Sequence, residues 1–476
     1  MSVHLSVIMP VYDEKYLVAE SIRRVLAVES PLIRRLDLIV VDDGSRDGTR
    51  QILRELAEKH RDRIAYLEHP TNRGKGAAIR SGIAQARGEV CVIQDADLEY
   101  NPAELEKLMR PFVDERADAV FGSRFLSADY RRVLYFRHTI GNRLLTLLCN
   151  LITDLNLTDM ETCYKAVRTS LLQSIPLTSD DFRVEPELTI KLAKREARIF
   201  EVPISYAGRT YEEGKKIGLR DAVLALGAML RFCVTRNLYR EAYLGGDGLS
   251  NTLVELTGAP HFNRWMADVI RPHLGDRILE VGAGLGSLTR SFLPRLMYTA
   301  TDVNPGYLEQ LRRFGVGQPN FDARPLDVSE TDDFYDLLGA YDTVVCLNVL
   351  EHLRDHDLAV RNMRSALAED GRLVVLVPQG PGLFGTLDEA VGHQRRYTRD
   401  SLRALLEPNG FAVEKMFDFN RASLPAWWLN GRVRRKRSFD PGELRLVDRF
   451  AWLMRSLEPL LPWHGLSLVA VARRKG

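Results

Sequence analysis

The sequence predicts an α/β protein built on two open sheets. Three observations carry that expectation: short β-branched apolar runs alternate with segments of helical periodicity, the alternation starts twice, and the strand ends of the two halves carry different motifs. In the first half, residues 5–11, 38–41, 64–67 and 90–93 read as buried parallel strands. Between them, 15–28, 49–60, 76–87 and 103–114 place apolar residues at helical spacing, and Gly, Asp, Asn or Pro marks most of their starts. Right-handed crossovers gather these strands into one sheet. A second alternation begins near residue 276, with strands at 277–281, 298–302, 343–347, 371–377 and 411–417 and a last one at 466–472. Residues 241–258, which include Gly245, Gly246, Gly248, Ser250 and Asn251, have the composition of a linker. The expected domains are therefore 1–240 and 259–476, the second with a Trp/Arg-rich insertion at about 420–465. No repeat at a fixed period is visible, so the chain reads as a fusion of unlike domains.

Composition excludes several classes. With 476 residues, 45% hydrophobic and 27% charged, the chain lies near the globular average, away from long disorder, collagen-like repeats or a disulfide scaffold. Lys+Arg 66 against Asp+Glu 64 leaves no broad basic field, so no nucleic-acid partner is expected. The five cysteines are scattered without a C-x-x-C pair, as in reduced structural thiols of a cytosolic protein. The first ten residues read as a strand rather than a signal peptide, and no run reaches the ~20 apolar residues of a membrane span. A cytoplasmic protein is expected, its membrane contact limited to the periphery of the inner face.

Ligands of open α/β sheets bind beyond the carboxyl ends of the strands, and the loops there are acidic. Strand one runs into Pro10-Val11-Tyr12-Asp13-Glu14, strand two into Asp42-Asp43-Gly44-Ser45-Arg46-Asp47-Gly48-Thr49, and strand four into Gln94-Asp95-Ala96-Asp97-Leu98-Glu99. Residues 42–49 alone also suit a turn and helix cap. Asp95 and Asp97, at i and i+2 past a strand end, can both reach a hard cation, and Mg²⁺ or Mn²⁺ prefers such oxygens with diphosphate oxygens completing its shell. Solvated loop carboxylates are the alternative for an isolated D-x-D; the neighbouring acidic loops favour the clamp.

With Val7-Ile8-Met9-Pro10-Val11-Tyr12, Val41-Asp42-Asp43-Gly44-Ser45, Asn72-Arg73-Gly74-Lys75-Gly76 and Asp95-Ala96-Asp97, the first half resembles family 2 glycosyltransferases of the GT-A fold, and among them the polyprenyl-phosphate mannosyl- and glucosyltransferases. The likeness continues through Gly122-Ser123-Arg124, Asp159-Met160-Glu161-Thr162-Cys163-Tyr164-Lys165 and the segment 209–217, to about residue 240. It implies a nucleotide-sugar donor whose nucleoside is held by Pro10, Tyr12, Glu14 and Asp43. Asp95, Asp97 and Glu99 would lie around the metal, and Arg124, Arg209 and Lys215 near the phosphates. Glu99 departs from the Gln or Ser of many relatives. Lys75 is either a surface residue opening a helix or a diphosphate ligand, with Gly74 and Gly76 letting backbone amides approach.

A hydroxyl acceptor needs a general base, whereas a lipid phosphate, with a second pKa near ~6, is already largely dianionic and needs cations. Arg124, Arg131, Arg132, Arg209 and Lys215 are available for a polyprenyl phosphate, and the amphipathic run 219–238 either lies on a membrane or packs into the core. For a glycan hydroxyl acceptor, Glu185 or Glu187 would be the base.

In the second half, Arg277-Ile278-Leu279-Glu280-Val281-Gly282-Ala283-Gly284-Leu285-Gly286 is a strand entering a Gly-rich turn, and its G-x-G-x-G spacing does not satisfy the dinucleotide fingerprint. Asp302 closes the next strand, where a carboxylate can accept from both ribose hydroxyls. Glu280, Gly282, Gly284, Gly286, Asp302, Asp327 and the run Cys346-Leu347-Asn348-Val349-Leu350-Glu351-His352-Leu353 together resemble the ordered motifs of class I S-adenosylmethionine-dependent methyltransferases, with a Rossmann-like fold. The resemblance implies that the Gly-rich turn faces the methionine part, Asp302 the ribose and Asp327 the adenine, with Asn348 beside them; NAD is the competing cofactor. His393, in Gly392-His393-Gln394-Arg395-Arg396-Tyr397-Thr398, is the first candidate base for methyl transfer and His352 the second. The cations of 432–437 face either solvent, lipid headgroups or a phosphorylated glycan. The expectation is a bifunctional enzyme that transfers a sugar and methylates a sugar or glycan intermediate of the same pathway; its rival makes one half a binding or scaffold module.

Overall fold

The computed structural model describes residues 2–114, 117–126, 136–208, 219–235, 237–240, 259–315, 318–437 and 441–476. The chain divides into two compact units, Met1–Arg240 and Glu241–Gly476. The expected linker 241–258 lies outside the described residues.

The first unit runs β1 (Val3–Val11), α1 (Val18–Leu26), β2 (Ile33–Asp42), α2 (Thr49–Lys59), β3 (Ile64–Glu68), α3 (Lys75–Gln85), β4 (Val90–Ile93), α4 (Leu105–Asp114), β5 (Ala119–Ser123), α5 (Phe136–Thr153), β6 (Lys165–Arg168), α6 (Thr169–Ser174), α7 (Val184–Lys194), β7 (Ile199–Pro203) and α8 (Leu219–Cys233). Its seven-stranded sheet has the order β3-β2-β1-β4-β6-β5-β7. The four strands read from apolar runs are mutually parallel, as expected. The sheet is nonetheless mixed, because β6 pairs antiparallel with both β4 and β5. All four residues of β4 are buried, the signature of a strand covered on both faces. On α1, Val18, Ile22 and Val25 recur on one face and are buried against the sheet.

The second unit runs α9 (Pro260–Ile270), β8 (Arg277–Val281), α10 (Thr289–Phe292), β9 (Met297–Asp302), α11 (Pro305–Gly315), β10 (Phe321–Pro325), β11 (Tyr341–Leu347), α12 (His356–Ala366), β12 (Leu367–Pro378), α13 (Thr386–Ala390), α14 (Arg399–Leu406), β13 (Phe411–Phe419), α15 (Leu424–Trp428), α16 (Pro441–Arg449), α17 (Ala451–Leu457) and β14 (Ser467–Arg474). Strand order is β10-β9-β8-β11-β12-β14-β13, with β14 antiparallel to both neighbours. Between β13 and β14 the chain forms helices that dock on α9: Asp448 accepts from the backbone amides of His261 and Phe262, and Arg455 pairs with Asp268 at 2.7 Å. Trp428, Phe450, Trp452 and Trp463 of this segment remain exposed.

Each sheet grows first to one side and then to the other, and the switch falls between β1 and β4 in the first and between β8 and β11 in the second. Splaying of the loops at such a point opens a crevice at the carboxyl edge. The acidic loops and the Gly-rich turn stand at these two crevices.

Candidate functional sites

In the first unit the loops at the crevice are cross-linked by their own polar groups. The Ser45 hydroxyl accepts from the amide of Asp13 at 3.0 Å, and the Thr49 hydroxyl accepts from the amide of Glu14 at 3.0 Å. Asp43 is buried and accepts from the amides of Arg73 (2.9 Å) and Gly74 (2.7 Å), with His69 Nδ1 at 2.7 Å, so it fastens the loop after β3 to the end of β2. Tyr12 is exposed just past the end of β1, and Pro10 is the last residue but one of that strand. The close approach expected at Gly74 and Gly76 is made by the chain itself: a Cβ would meet the Asp180 carbonyl at 2.4 Å and the Ser179 carbonyl at 2.2 Å.

Asp95 and Asp97 follow β4. Lys75, the first residue of α3, lies 2.9 Å from Asp95 and 3.4 Å from Glu185. Burial opposes its charge, but the nearby anionic groups, Asp95 foremost, outweigh burial and hold its pKa above the ordinary lysine value. Asp97 accepts from the amide of Glu99 at 3.1 Å, and Glu99 accepts from the Tyr206 hydroxyl at 2.6 Å. Asp95, Asp97 and Glu99 all follow one strand end; carboxylate oxygens are the donors that Mg²⁺ and Mn²⁺ prefer, and Lys75 offsets the charge on Asp95.

Arg124, at the end of β5, makes a bidentate pair with Asp159 (2.6 and 2.7 Å) and lies over the Tyr206 ring. Arg131, Arg132, Arg209 and Lys215 lie outside the described residues. Of the two candidate bases, Glu187 is committed to the amides of Thr178 and Ser179 and to Lys191 at 2.6 Å. Glu185 takes Lys165 at 2.6 Å on one oxygen, while its Oε1 has no hydrogen-bond partner. Glu161, to which the sequence reading gave no role, is half-buried with a shielded Oε1 that has no hydrogen-bond partner, and desolvation pushes its carboxyl up to about 7.

In the second unit, Gly282, Gly284 and Gly286 all have positive φ (71°, 57° and 79°), the left-handed geometry for which glycine is suited. Asp302 accepts from the amides of Gly284 and Asn304, each at 2.9 Å, and so locks the turn while each oxygen keeps a further lone pair for a ribose hydroxyl. Asp327 follows β10, which pairs with β9, and accepts from the amide of Ser329. Asn348 follows β11 with φ 55°. Glu280 accepts the hydroxyls of Thr289 (2.6 Å) and Tyr298 (2.8 Å), a buttress beneath the turn. These groups fit a ribose-bearing cofactor such as S-adenosylmethionine.

Beyond β11, His393 Nδ1 lies 2.9 Å from Asp388, which also receives Arg396 Nε at 2.7 Å. The His352 ring meets that of His393 edge to face, with centroids 4.9 Å apart. Glu351 is fully buried beside them, and burial pushes its carboxyl up to about 8. Glu351 belongs to the run 346–353 that carries the resemblance but was given no role of its own, and Asp388 had no part in the sequence reading, since no local motif reports a carboxylate five residues before a histidine as its partner.

Comparison with known proteins follows the same division. The model for glycosyl transferase family 2 matches residues 6–175, and a methyltransferase domain model matches residues 279–373. An undecaprenyl-phosphate 4-deoxy-4-formamido-L-arabinose transferase of Edwardsiella ictaluri is 28% identical over 211 residues, 44% of this chain and 62% of that protein. The chain thus spans about three fifths of that relative's length. An uncharacterized protein of Methanocaldococcus jannaschii is 30% identical over 208 residues, 42% of this chain and 86% of its own. Among solved structures, glucosyl-3-phosphoglycerate synthase from Mycobacterium tuberculosis, in complex with Mn²⁺, uridine diphosphate and glucosyl-3-phosphoglycerate, aligns at TM-score 0.38 and 21% identity, covering 48% of this chain and 80% of that one.

Proposed function

The chain belongs to glycosyl transferase family 2 through its first unit and carries a methyltransferase domain in its second, and on that premise we propose that it moves a sugar from a nucleotide donor to a polyprenyl phosphate and methylates a sugar or glycan intermediate of the same pathway. Asp95 and Asp97, with Glu99, would hold Mg²⁺ or Mn²⁺, which when bound offsets charge on the departing nucleoside diphosphate. Pro10, Tyr12, Glu14 and Asp43 are assigned to the nucleoside, and Arg124, Arg209 and Lys215 to the phosphates. In the second unit the Gly282–Gly286 turn, Asp302, Asp327 and Asn348 are assigned to S-adenosylmethionine, and the methyl acceptor to the side of His393.

One observation supports the lipid acceptor above the others. On α5, Phe136, Ile140, Leu144, Leu147 and Leu151 recur every three or four residues and are exposed; Val223, Leu226 and Leu230 on α8 and Val234 just after it do the same. The inner faces of the two helices pack with Met160 and with Ile190 of α7, the helix that carries Glu185. No helix among the described residues is long and apolar enough to cross a membrane, so this doubled stripe suits peripheral seating on a lipid surface next to the crevice. The relatives named undecaprenyl-phosphate transferases support the same acceptor class. The glycan alternative is weakened by the commitment of Glu187 to its own loop, which leaves Glu185 as its base.

The test is sugar transfer by the full chain. Asp97→Ala or EDTA should abolish it, whereas Glu185→Gln should leave turnover within about tenfold, below the two to four orders that a general base contributes. Wild-type turnover by Asp97→Ala would defeat the metal clamp, and a loss of several orders in Glu185→Gln would favour a hydroxyl acceptor.

A further inference from the structure

We propose that Glu351, His352 and His393 bind one divalent transition-metal ion in the second unit, separate from the Asp95–Asp97 pair. Glu351 lies in the turn Leu350–His352 after β11; it is fully buried, and neither of its oxygens has a hydrogen-bond partner. Folded proteins rarely leave both oxygens of a buried carboxyl unsatisfied, because the lost hydration is returned by nothing. The nearby nitrogen is His393 Nε2, at 3.8 Å, beyond hydrogen-bond reach. Asp388 fixes the tautomer of that ring: with Nδ1–H donated to Asp388, Nε2 turns a lone pair toward Glu351. Two acceptors then face each other across a gap that a cation fits. Two ligands of a tetrahedral ion with bonds of ~2.1 Å stand roughly 3.4 Å apart, so a shift of a few tenths of an ångström closes the site.

The third ligand and the charge balance agree. One ligand atom from each of Glu351, His352 and His393 lies within 4.8 Å of the others. Asp388 is held by His393, Arg396 and the amide of Gly385, so the single guanidinium of Arg396 faces two carboxyl groups. A divalent ion takes the place of the proton that burial otherwise holds on Glu351. Carboxylate–histidine–metal is the usual outer support of such a ligand, and two imidazoles with one carboxylate suit Zn²⁺, Mn²⁺, Fe²⁺ or Co²⁺ better than Ca²⁺. The site adjoins the Gly-rich turn, since a Cβ on Gly282 would lie 2.4 Å from Val349 Cγ2, two residues before Glu351. Three protein ligands leave positions open to an oxygen donor. If the unit transfers methyl groups as proposed above, that donor is the acceptor substrate, and His393 serves as a ligand rather than as a free base.

The experiment uses the full chain carrying Asp97→Ala, which removes the first metal pair. Titration with Co²⁺, followed by calorimetry and visible absorption, should show one ion per chain with the ligand-field bands of a low-coordinate nitrogen-bearing site. Adding Glu351→Gln, or His352→Ala as the milder variant at a partly exposed residue, should weaken binding at least about tenfold, and Asp388→Asn by about 10- to 100-fold. Folding is checked by melting in metal-free buffer, where Glu351→Gln should unfold no lower than its parent. Absence of Co²⁺ and Zn²⁺ binding in the Asp97→Ala chain, or undiminished binding in both Glu351→Gln and His352→Ala, would overturn the site. A chain that binds S-adenosylmethionine but takes up no such ion would sink this inference while leaving the methyltransferase reading intact.

Discussion

Lys75 stands between two carboxylates, Asp95 at 2.9 Å and Glu185 at 3.4 Å, and its removal strands negative charge in a partly buried place. Lys75→Met should therefore cost about 2 kcal/mol in denaturant unfolding, between the values for exposed and fully buried pairs, and Lys75→Met/Asp95→Asn should recover part of that loss. Equal stability of Lys75→Met and wild type would show that the pair is solvated. Gly282→Ala meets two obstacles, a φ of 71° and a Cβ 2.4 Å from Val349. It should lower S-adenosylmethionine affinity at least about tenfold, and Val349→Ala should relieve the clash but not the torsion, which alone costs about 1–3 kcal/mol. Full rescue by Val349→Ala would assign the whole effect to packing. Glu280 yields a pH signature. Burial, against donation from Thr289 and Tyr298, lifts its carboxyl from 4.5 to about 7, so between those values the folded state keeps a proton that the unfolded chain has lost. Stability must fall as pH rises through that window and level off above it. Glu280→Gln removes this contribution, so its melting temperature relative to wild type should climb between pH 5 and 7; parallel curves would contradict the assignment. The Asp95-x-Asp97 pair, the Gly-rich turn and Asp302 were legible because their chemistry lies in local spacing. Lys75 on Asp95, Asp159 on Arg124 and Asp388 on His393 were not, since the first two pairings join side chains 20 and 35 residues apart and the third depends on how one loop folds back.

At the scale of elements, the exposed stripes of α5 and α8 carry the membrane prediction. Leu147→Glu with Leu230→Glu places two charges on that face at exposed positions, so stability should change by under about 0.5 kcal/mol per site. Sedimentation with anionic lipid vesicles should fall at least about tenfold. Unchanged sedimentation would leave the face without its proposed role. The α8 stripe is legible in the amphipathic run 219–238, whereas the apolar residues of α5 stand all round the helix, and only the fold shows which of them stay exposed. The strands show the same division. β1, β2, β4, β8 and β11 are buried apolar runs and were legible, whereas β10, Phe321–Pro325, reads Phe-Asp-Ala-Arg-Pro and has only one buried position. The antiparallel setting of β6 is likewise invisible locally, because its four residues satisfy either direction.

For the whole molecule, each unit has its own sheet, its own core and its own crevice at a reversal of strand order. The two chemistries should thus be separable by single substitutions, Asp97→Ala silencing sugar transfer and Gly282→Ala weakening cofactor binding in the other unit. The central claim concerns the first of them, that the sugar goes to a lipid phosphate. It is tested most directly by supplying the full chain with radiolabelled nucleotide sugars, Mg²⁺ or Mn²⁺, and vesicles containing a polyprenyl phosphate, then partitioning the product between organic solvent and water. The account predicts label in the organic phase that depends on the polyprenyl phosphate and disappears in Asp97→Ala. Label confined to a water-soluble glycan, with none extracted by the solvent, would contradict it.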